Sequence, residues 1–177
     1  MEATETIETK PEAAKSETMD WEARKADTDK LIYNHMLGAM GVGLIPLPLV
    51  DLAALTALQI RLVYKLSHFY GLEFSRDKAK NIIAALIGSA VPVSVAAPLY
   101  SMLKVIPIVG QTVSVLTMPV IGGAGTYALG KVFVQHFESG GTFLNFDPAA
   151  VKTHFTELCK EGQKIASDLK KSTVKTS

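Results

Sequence analysis

A stretch of fifty residues, from Asn81 to Gly130, carries one formal charge, that of Lys104. A soluble domain with about 25% charged residues would hold about a dozen charges in a segment of this length. The rest of so short a chain is expected to supply too few helices to cover the stretch. Because a helix satisfies its own backbone hydrogen bonds in lipid, the deficit predicts helices that contact a membrane.

Lys104 divides this stretch into two uncharged runs, Ile82–Leu103 and Val105–Gly130. At about 1.5 Å per residue the first run reaches roughly 33 Å as a helix, enough for a hydrocarbon core of about 30 Å. A lysine at the centre of a bilayer costs about 2.5–3.5 kcal/mol, whereas one at the interface can extend to water. The sequence therefore predicts an apolar helical hairpin over about residues 82–130 with its tip at Lys104.

The remaining segments predict amphipathic helices around this hairpin in an all-α, membrane-associated domain. Residues 1–20 are acidic and poor in large apolar side chains, which is typical of a disordered tail. Residues 21–145 form the predicted helical membrane module, and residues 146–177 a C-terminal amphipathic helix with a Lys-rich tail. The basic residues that flank the hairpin place both of its ends in the cytoplasm by the positive-inside rule; they are Arg76, Lys78, Lys80 and Lys131.

Two polar residues, Asp51 and Gln59, lie in an otherwise apolar region before the hairpin. Ionisable and polar groups at membrane depth are by default candidates for function. A structural role is the alternative: Asp51 complements the start of a helix over residues 49–70, and Gln59 lies at the interface. The pattern leaves open whether residues 36–60 span the bilayer, re-enter it or rest on it.

Three basic side chains, Arg61, Lys65 and His68, recur at helical spacing on the helix over residues 49–70. Such a face suits anionic lipid headgroups or an acidic partner surface. A solvated helix face explains the same pattern, so both interpretations stay open.

Small residues recur at four-residue spacing in the apolar segments. They are Ala84 and Gly88 in the first, and Gly122, Thr126 and Gly130 in the second. Small side chains let helix backbones approach closely in lipid. Packing within the chain is the favoured interpretation, and a homo-oligomer interface is the alternative.

No motif for catalysis, a metal or a cofactor emerges from the sequence, so a non-enzymatic protein is expected. Residues 125–131 match the first seven positions of a phosphate-binding loop, but Val132 stands where Ser or Thr must reach magnesium. The four histidines have no paired ligand spacing. Cys159 is the only cysteine, and no dense basic cluster suggests nucleic acid as a partner.

Several separated motifs occur in an order that resembles the YcjF-like, GTPase-associated membrane-domain family. They are Gly-Leu-Ile-Pro-Leu-Pro-Leu-Val-Asp (43–51), Gln59, Tyr70-Gly71, Lys-Val-Ile-Pro-Ile-Val-Gly (104–110), Thr-Tyr-Ala-Leu-Gly-Lys (126–131) and Gln-His-Phe-Glu-Ser-Gly-Gly-Thr-Phe (135–143). The resemblance implies a bacterial helical module, often with two transmembrane segments, that in some members is fused to or encoded with a GTPase. The chain is expected to lack the G domain of those members, and the resemblance implies no catalytic residues to carry over.

The leading hypothesis is a non-enzymatic membrane module that recruits a partner, with a separate GTPase as one candidate, or that shapes the bilayer. A homo-oligomeric channel or carrier is one alternative, with Asp51 and Gln59 along a polar path. A soluble helical bundle that sequesters lipid is another. Membrane lipid, a second protein and further copies of the chain are the partners considered, and nucleic acid is not among them.

Overall fold

A computed structural model describes the backbone of residues 10–44, 48–90 and 109–175, and the side chains of residues 21–44, 52–89 and 118–172. These residues form five helices and no strands, which confirms the all-α prediction. The helices are α1 (Lys10–Val42), α2 (Pro48–Phe69), α3 (Arg76–Ala90), α4 (Val109–Glu138) and α5 (Lys152–Lys175).

Helix α4 lies at the centre of the bundle. Residues 122–130 are all buried, and α4 contacts each of the other four helices. A helix that is apolar on every side needs such cover, which other helices of a protein can supply as well as lipid. The expectation that the chain cannot cover this stretch is therefore wrong for residues 122–130.

Contacts along α4 fix the direction of its neighbours. A Cβ atom at Gly130 or Gly123 would touch Ile32 or Met40, so α1 runs antiparallel to α4. Helix α2 runs parallel to α4, since Gln59 bonds Thr126 and Tyr70 bonds Glu138. The bundle therefore has one end near Tyr70 and Glu138 and an opposite end near Met40 and Gly123.

One end of the bundle, here called the aromatic end, is filled by packed rings. Phe133 of α4 stacks on Phe146 with ring centroids 4.9 Å apart, and Phe137 meets Phe143 edge to face at 5.5 Å. Residues 139–151, which join α4 to α5, are held against these rings, with the His136 ring nitrogen 3.0 Å from the carbonyl oxygen of Thr142. Aromatic pairs at such distances stabilise beyond their buried area, so this connection is firmly placed.

Several helix boundaries agree with the sequence. Gly71 follows α2 with a positive φ of 66°, as expected of a glycine just beyond a helix end. Helix α3 begins directly after Ser75, with Asp77 in its first turn. The last helix begins later than residue 146, where the predicted C-terminal segment starts: Asp147 accepts a hydrogen bond from the Ala149 N–H at 2.8 Å in a turn, and α5 begins at Lys152.

The predicted tail and the predicted hairpin both extend beyond the described residues. Helix α1 already begins at Lys10, whereas a disordered tail was expected through residue 20. In the first arm of the hairpin, α3 is described only as far as Ala90, and the tip at Lys104 lies outside the described residues. Across the described helices, none combines the length and apolar character needed to cross a bilayer.

Glycine permits the close approach of α5 to α4. A Cβ atom at Gly162 would lie 2.9 Å from the Cα atom of Ala124 and 3.0 Å from its carbonyl oxygen. Because these are backbone atoms, relief requires the two helices to separate. Gly162→Ala should therefore lower the free energy of unfolding by about 1–3 kcal/mol, as overpacking does, measured by denaturant unfolding with helix circular dichroism.

Gly122→Ala is the matched control, since its Cβ atom would meet Ala39 and Leu55 at ordinary distances of 3.5–3.7 Å. It should leave stability unchanged or slightly raised. Equal stability of the two variants would contradict the close approach.

Candidate functional site: an apolar end, a basic cleft and an aromatic recess

The end of the bundle opposite the aromatic end exposes large apolar side chains, and is here called the apolar end. Its members are Leu44 (58% exposed), Leu52 (63%), Met118 (43%) and Ile121 (50%). Single exposed apolar residues are ordinary, but a contiguous group marks a contact with a partner or a membrane.

Three helices bring these four side chains together. A Cβ atom at Gly43, next to Leu44, would lie 2.9 Å from the Cα atom of Pro119, next to Met118. Leu55 approaches the position of Gly122, next to Ile121, and Leu52 precedes Leu55 by one turn on the same face of α2. The ends of α1 and α2 and the middle of α4 thus form one surface.

The uncharged part of the sequence adjoins this surface. Helix α3 starts at the aromatic end, where Phe74 packs on Phe143 with ring centroids 5.9 Å apart. It runs towards the apolar end, since a Cβ atom at Gly125 would lie 3.2 Å from the side chain of Ile87. Residues 91–117, which follow α3 and lead into Met118, contain only one charge, Lys104. Residues 91–117, here called the uncharged segment although they include Lys104, therefore join the described bundle at its apolar end.

The two predicted polar residues of the α2 region have different outcomes. Gln59 is 3% exposed, and its amide nitrogen donates to the hydroxyl oxygen of Thr126, which is fully buried, at 3.4 Å. Gln59 thus lies inside the bundle as part of a buried polar pair. Asp51 belongs to α2, but its side chain lies outside the described residues.

The predicted small-residue positions also divide into two groups. Gly122, Thr126 and Gly130 are buried within the bundle, where a Cβ atom at Gly130 would lie 2.6 Å from Ile32. They serve packing within the chain and are not available to a second copy. Ala84 and Gly88 are exposed on α3, so the described residues give no support for packing there.

A basic cleft lies between α1 and α2, with a volume of about 400 Å³. Its lining residues are Asn34, His35, Ala57, Leu58, Arg61 and Lys65. Burial lowers the pKa of His35, a backbone hydrogen bond to Leu31 opposes this, and the charges of Lys65 and Arg61 lower the pKa further. The structure therefore places two of the three predicted basic residues at one site, whereas His68 stacks on Tyr64 and does not line the cleft.

A second recess, here called the aromatic recess, lies at the aromatic end and has a volume of about 290 Å³. Its lining residues are Trp21, Arg24, Tyr70, Leu72, Phe137, Glu138, Gly140 and Gly141. The Arg24 guanidinium lies 5.8 Å from the centre of the Tyr70 ring, and the Tyr70 hydroxyl donates to Glu138 at 2.9 Å. Burial, followed by this bond and the Glu138 charge, raises the pKa of Tyr70.

Two polar contacts join the helices that carry these surfaces. Lys131 forms an ion pair with Asp29 at 2.6 Å and links α4 to α1. Tyr127 donates to Glu161 at 2.7 Å and links α4 to α5. Cys159 is partly buried, and this burial raises the pKa of its thiol to about 11, so it is not an activated nucleophile.

Sequence reasoning missed the α1 residues that line the basic cleft and the aromatic recess. Trp21, Arg24, Asn34 and His35 stand in a helix of mixed composition in which no local motif singles them out. Only their packing against α2 brings them to Tyr70 or to Arg61. The signal that could have helped was the Tyr70-Gly71 motif, which lies beside the aromatic recess.

This arrangement defines a helical bundle with one apolar end and without a recognisable catalytic constellation among its described side chains. Residues 10–164 match the family model described as Domain of unknown function (DUF697), the domain found in YcjF-like, GTPase-associated proteins. The chain belongs to this family, which confirms the resemblance.

The chain is also similar to a protein named Magnetosome membrane protein 22 from Magnetospirillum gryphiswaldense. The two are 35% identical over 154 residues, which cover 86% of this chain and 79% of that protein. No solved structure matches the chain. A membrane-associated relative agrees with the membrane prediction at a general level.

The Gln59–Thr126 pair should affect the stability of the protein mainly because it is buried. At 3.4 Å the hydrogen bond is long, but a buried amide without a partner costs about 1–3 kcal/mol. Thr126→Val should therefore destabilise the protein by about that amount in denaturant unfolding. The double variant Gln59→Leu/Thr126→Val, which removes both polar groups, should recover part of the loss, and strictly additive effects would show that the two residues are not coupled.

Proposed function

We propose that this protein is a non-enzymatic membrane-associated module that attaches through its apolar end and presents its aromatic end to a protein partner. The single observation that carries the proposal is the group of four exposed apolar side chains where the uncharged segment joins the bundle. In this arrangement the folded bundle lies in water on the cytoplasmic side, which the basic flanks of the uncharged segment favour.

The energetics of transfer support attachment at this end. Removing a large apolar side chain from water is favourable by about 1.5–3 kcal/mol when burial is complete. Four such side chains on one surface are enough for reversible attachment, even before any contribution of residues 91–117 is counted. The membrane-protein name of the relative from Magnetospirillum gryphiswaldense agrees with this function.

The aromatic recess supports the second half of the proposal. It combines Trp21, Arg24 and Tyr70, residue types that dominate the binding energy of protein interfaces. It lies at the far end of the bundle from the apolar end, so a partner seated there does not compete with the membrane. The family resemblance makes a separate GTPase the first partner to test.

The alternatives gain less support from the described residues. A polar path through a homo-oligomer would use Asp51 and Gln59, but Gln59 is buried and bonded to Thr126 within one chain. A soluble bundle that sequesters lipid would leave the apolar end without a partner. Bilayer shaping is compatible with attachment and would depend on how deeply the uncharged segment inserts.

Membrane attachment is tested by making the apolar end polar. Leu52→Ser/Ile121→Ser should weaken binding to phosphatidylcholine vesicles by on the order of a hundredfold, because two large side chains no longer gain from burial. Both positions are exposed, so the fold should persist, as circular dichroism can verify. Vesicle co-sedimentation of the full chain measures the effect.

Leu144→Ser is the matched control, since Leu144 is 82% exposed but lies at the aromatic end. It should leave vesicle binding unchanged. Equal losses in both variants, or no loss in the double variant, would refute attachment through the apolar end.

Partner recruitment is tested at the aromatic recess. Arg24→Ala removes the cation over Tyr70 and should abolish co-purification of a GTPase with the full chain in mild detergent, while vesicle binding is retained. Lys25→Ala, one residue along on the same exposed segment and outside the recess, should behave as wild type. Recovery of the same GTPase with both variants, or of none with wild type, would contradict this half of the proposal.

A further inference from the structure

The basic cleft contains positive charge without a described negative partner. Arg61 and Lys65 lie one turn apart on α2, and neither takes part in an ion pair among the described side chains. No carboxylate is among the residues that line the cleft. The charges that act on His35 are these same two cations, and no described carboxylate lining the cleft offsets them.

We propose that this cleft binds a phosphoryl group, the chemistry that a phospholipid headgroup shares with free phosphate. Arg61 supplies a planar fork that matches phosphate oxygens, and Lys65 supplies a second cation one turn away. Asn34 adds an amide donor from α1. The group is thus held between two helices and not on one solvated face.

His35 is oriented to take part in this site. Its Nδ1 lies 2.8 Å from the carbonyl oxygen of Leu31, so Nδ1 carries the proton and donates, and Nε2 is left for other contacts. The charged groups that act on the ring are Lys65 and Arg61. A phosphoryl group offsets their field, which favours protonation of Nε2 and adds a further donor to the bound anion.

The position of the cleft fits a lipid headgroup. Arg61 follows Leu52 of the apolar end by nine residues, about 13 Å along α2. The polar layer of a bilayer leaflet is roughly 5–8 Å thick. With Leu52 inserted about one turn into the hydrocarbon, the long Arg61 side chain reaches that layer, and the apolar floor of Ala57 and Leu58 faces the region where acyl chains begin.

The lipid source rests on the proposed membrane attachment, and the free-phosphate source does not. For the lipid arm, the full chain is bound to phosphatidylcholine vesicles with and without phosphatidylglycerol. A basic residue near an anionic surface contributes about fivefold in binding, so Arg61→Gln/Lys65→Gln should lose roughly twentyfold or more of the gain from phosphatidylglycerol. Its binding to pure phosphatidylcholine, where the choline cation offsets the charge of the phosphate, should change much less.

A matched control removes the same charge elsewhere. Lys160 and Lys164 are exposed on α5 with the same four-residue spacing, so Lys160→Gln/Lys164→Gln changes the net charge equally. This control should retain most of the gain from phosphatidylglycerol. Failure of all variants on pure phosphatidylcholine would count against the apolar end and not against the cleft.

For the soluble arm, inorganic phosphate is titrated against the full chain while the nuclear magnetic resonance signals of the His35 ring and the Arg61 side chain are followed. Chloride at equal ionic strength is the reference. Saturable shifts that are absent in Arg61→Gln/Lys65→Gln support the site, and an effect in this arm alone identifies a soluble phosphate as the ligand.

An effect in the vesicle arm alone identifies the lipid headgroup, and an effect in both arms supports a site that accepts either source. Equal losses in the cleft variant and in the α5 control would show a general charge effect and overturn the proposal. The absence of any specific effect in both arms would overturn it as well.

Discussion

The bundle depends on the burial of one apolar segment, residues 122–130 of α4, by helices of the same chain. Glycine makes this possible, because the absence of a side chain at Gly130 admits Ile32 and its absence at Gly162 admits the backbone of Ala124. The close contacts bury a helix that has no polar face of its own. Loss of these approaches would expose the segment that the other four helices enclose.

The same burial leaves exposed apolar side chains of α2 and α4 at one end of the bundle. The middle of α4 is covered, whereas Leu52 and Ile121 at this end stay exposed. The aromatic end is closed by rings such as Phe133 and Phe146 and by the connection between α4 and α5. The fold thereby separates the exposed apolar end from the aromatic recess, about the length of α2 apart.

Local sequence patterns predicted the helical class and several boundaries, but not which partner covers the apolar segments. Gly71 and Ser75 stand at helix boundaries, where a glycine or a serine acts on the backbone locally, so such boundaries are visible in sequence. The cover of residues 122–130 depends on α1, whose mixed composition gives little sign of a buried face, and on α5, whose amphipathic pattern does not say what its apolar face covers. Charge counting treats lipid and protein cover alike. The hairpin tip at Lys104 and the role of the Asp51 side chain stay predictions, since both lie outside the described residues.

The candidate sites also combine residues that a local sequence pattern predicts with residues that only the packing of helices brings together. Arg61 and Lys65 could be predicted as a pair because helical spacing is visible in sequence, whereas His35 and Asn34 join them only through the packing of α1 against α2. On an isolated helix Arg61 and Lys65 would form a solvated face. Because α1 packs against α2, they instead lie beside His35 and Leu58 and line a cleft without a described counter-charge. A bound phosphoryl group would supply that charge and would also link the two helices whose ends form the apolar end, so that headgroup binding and membrane attachment would reinforce each other.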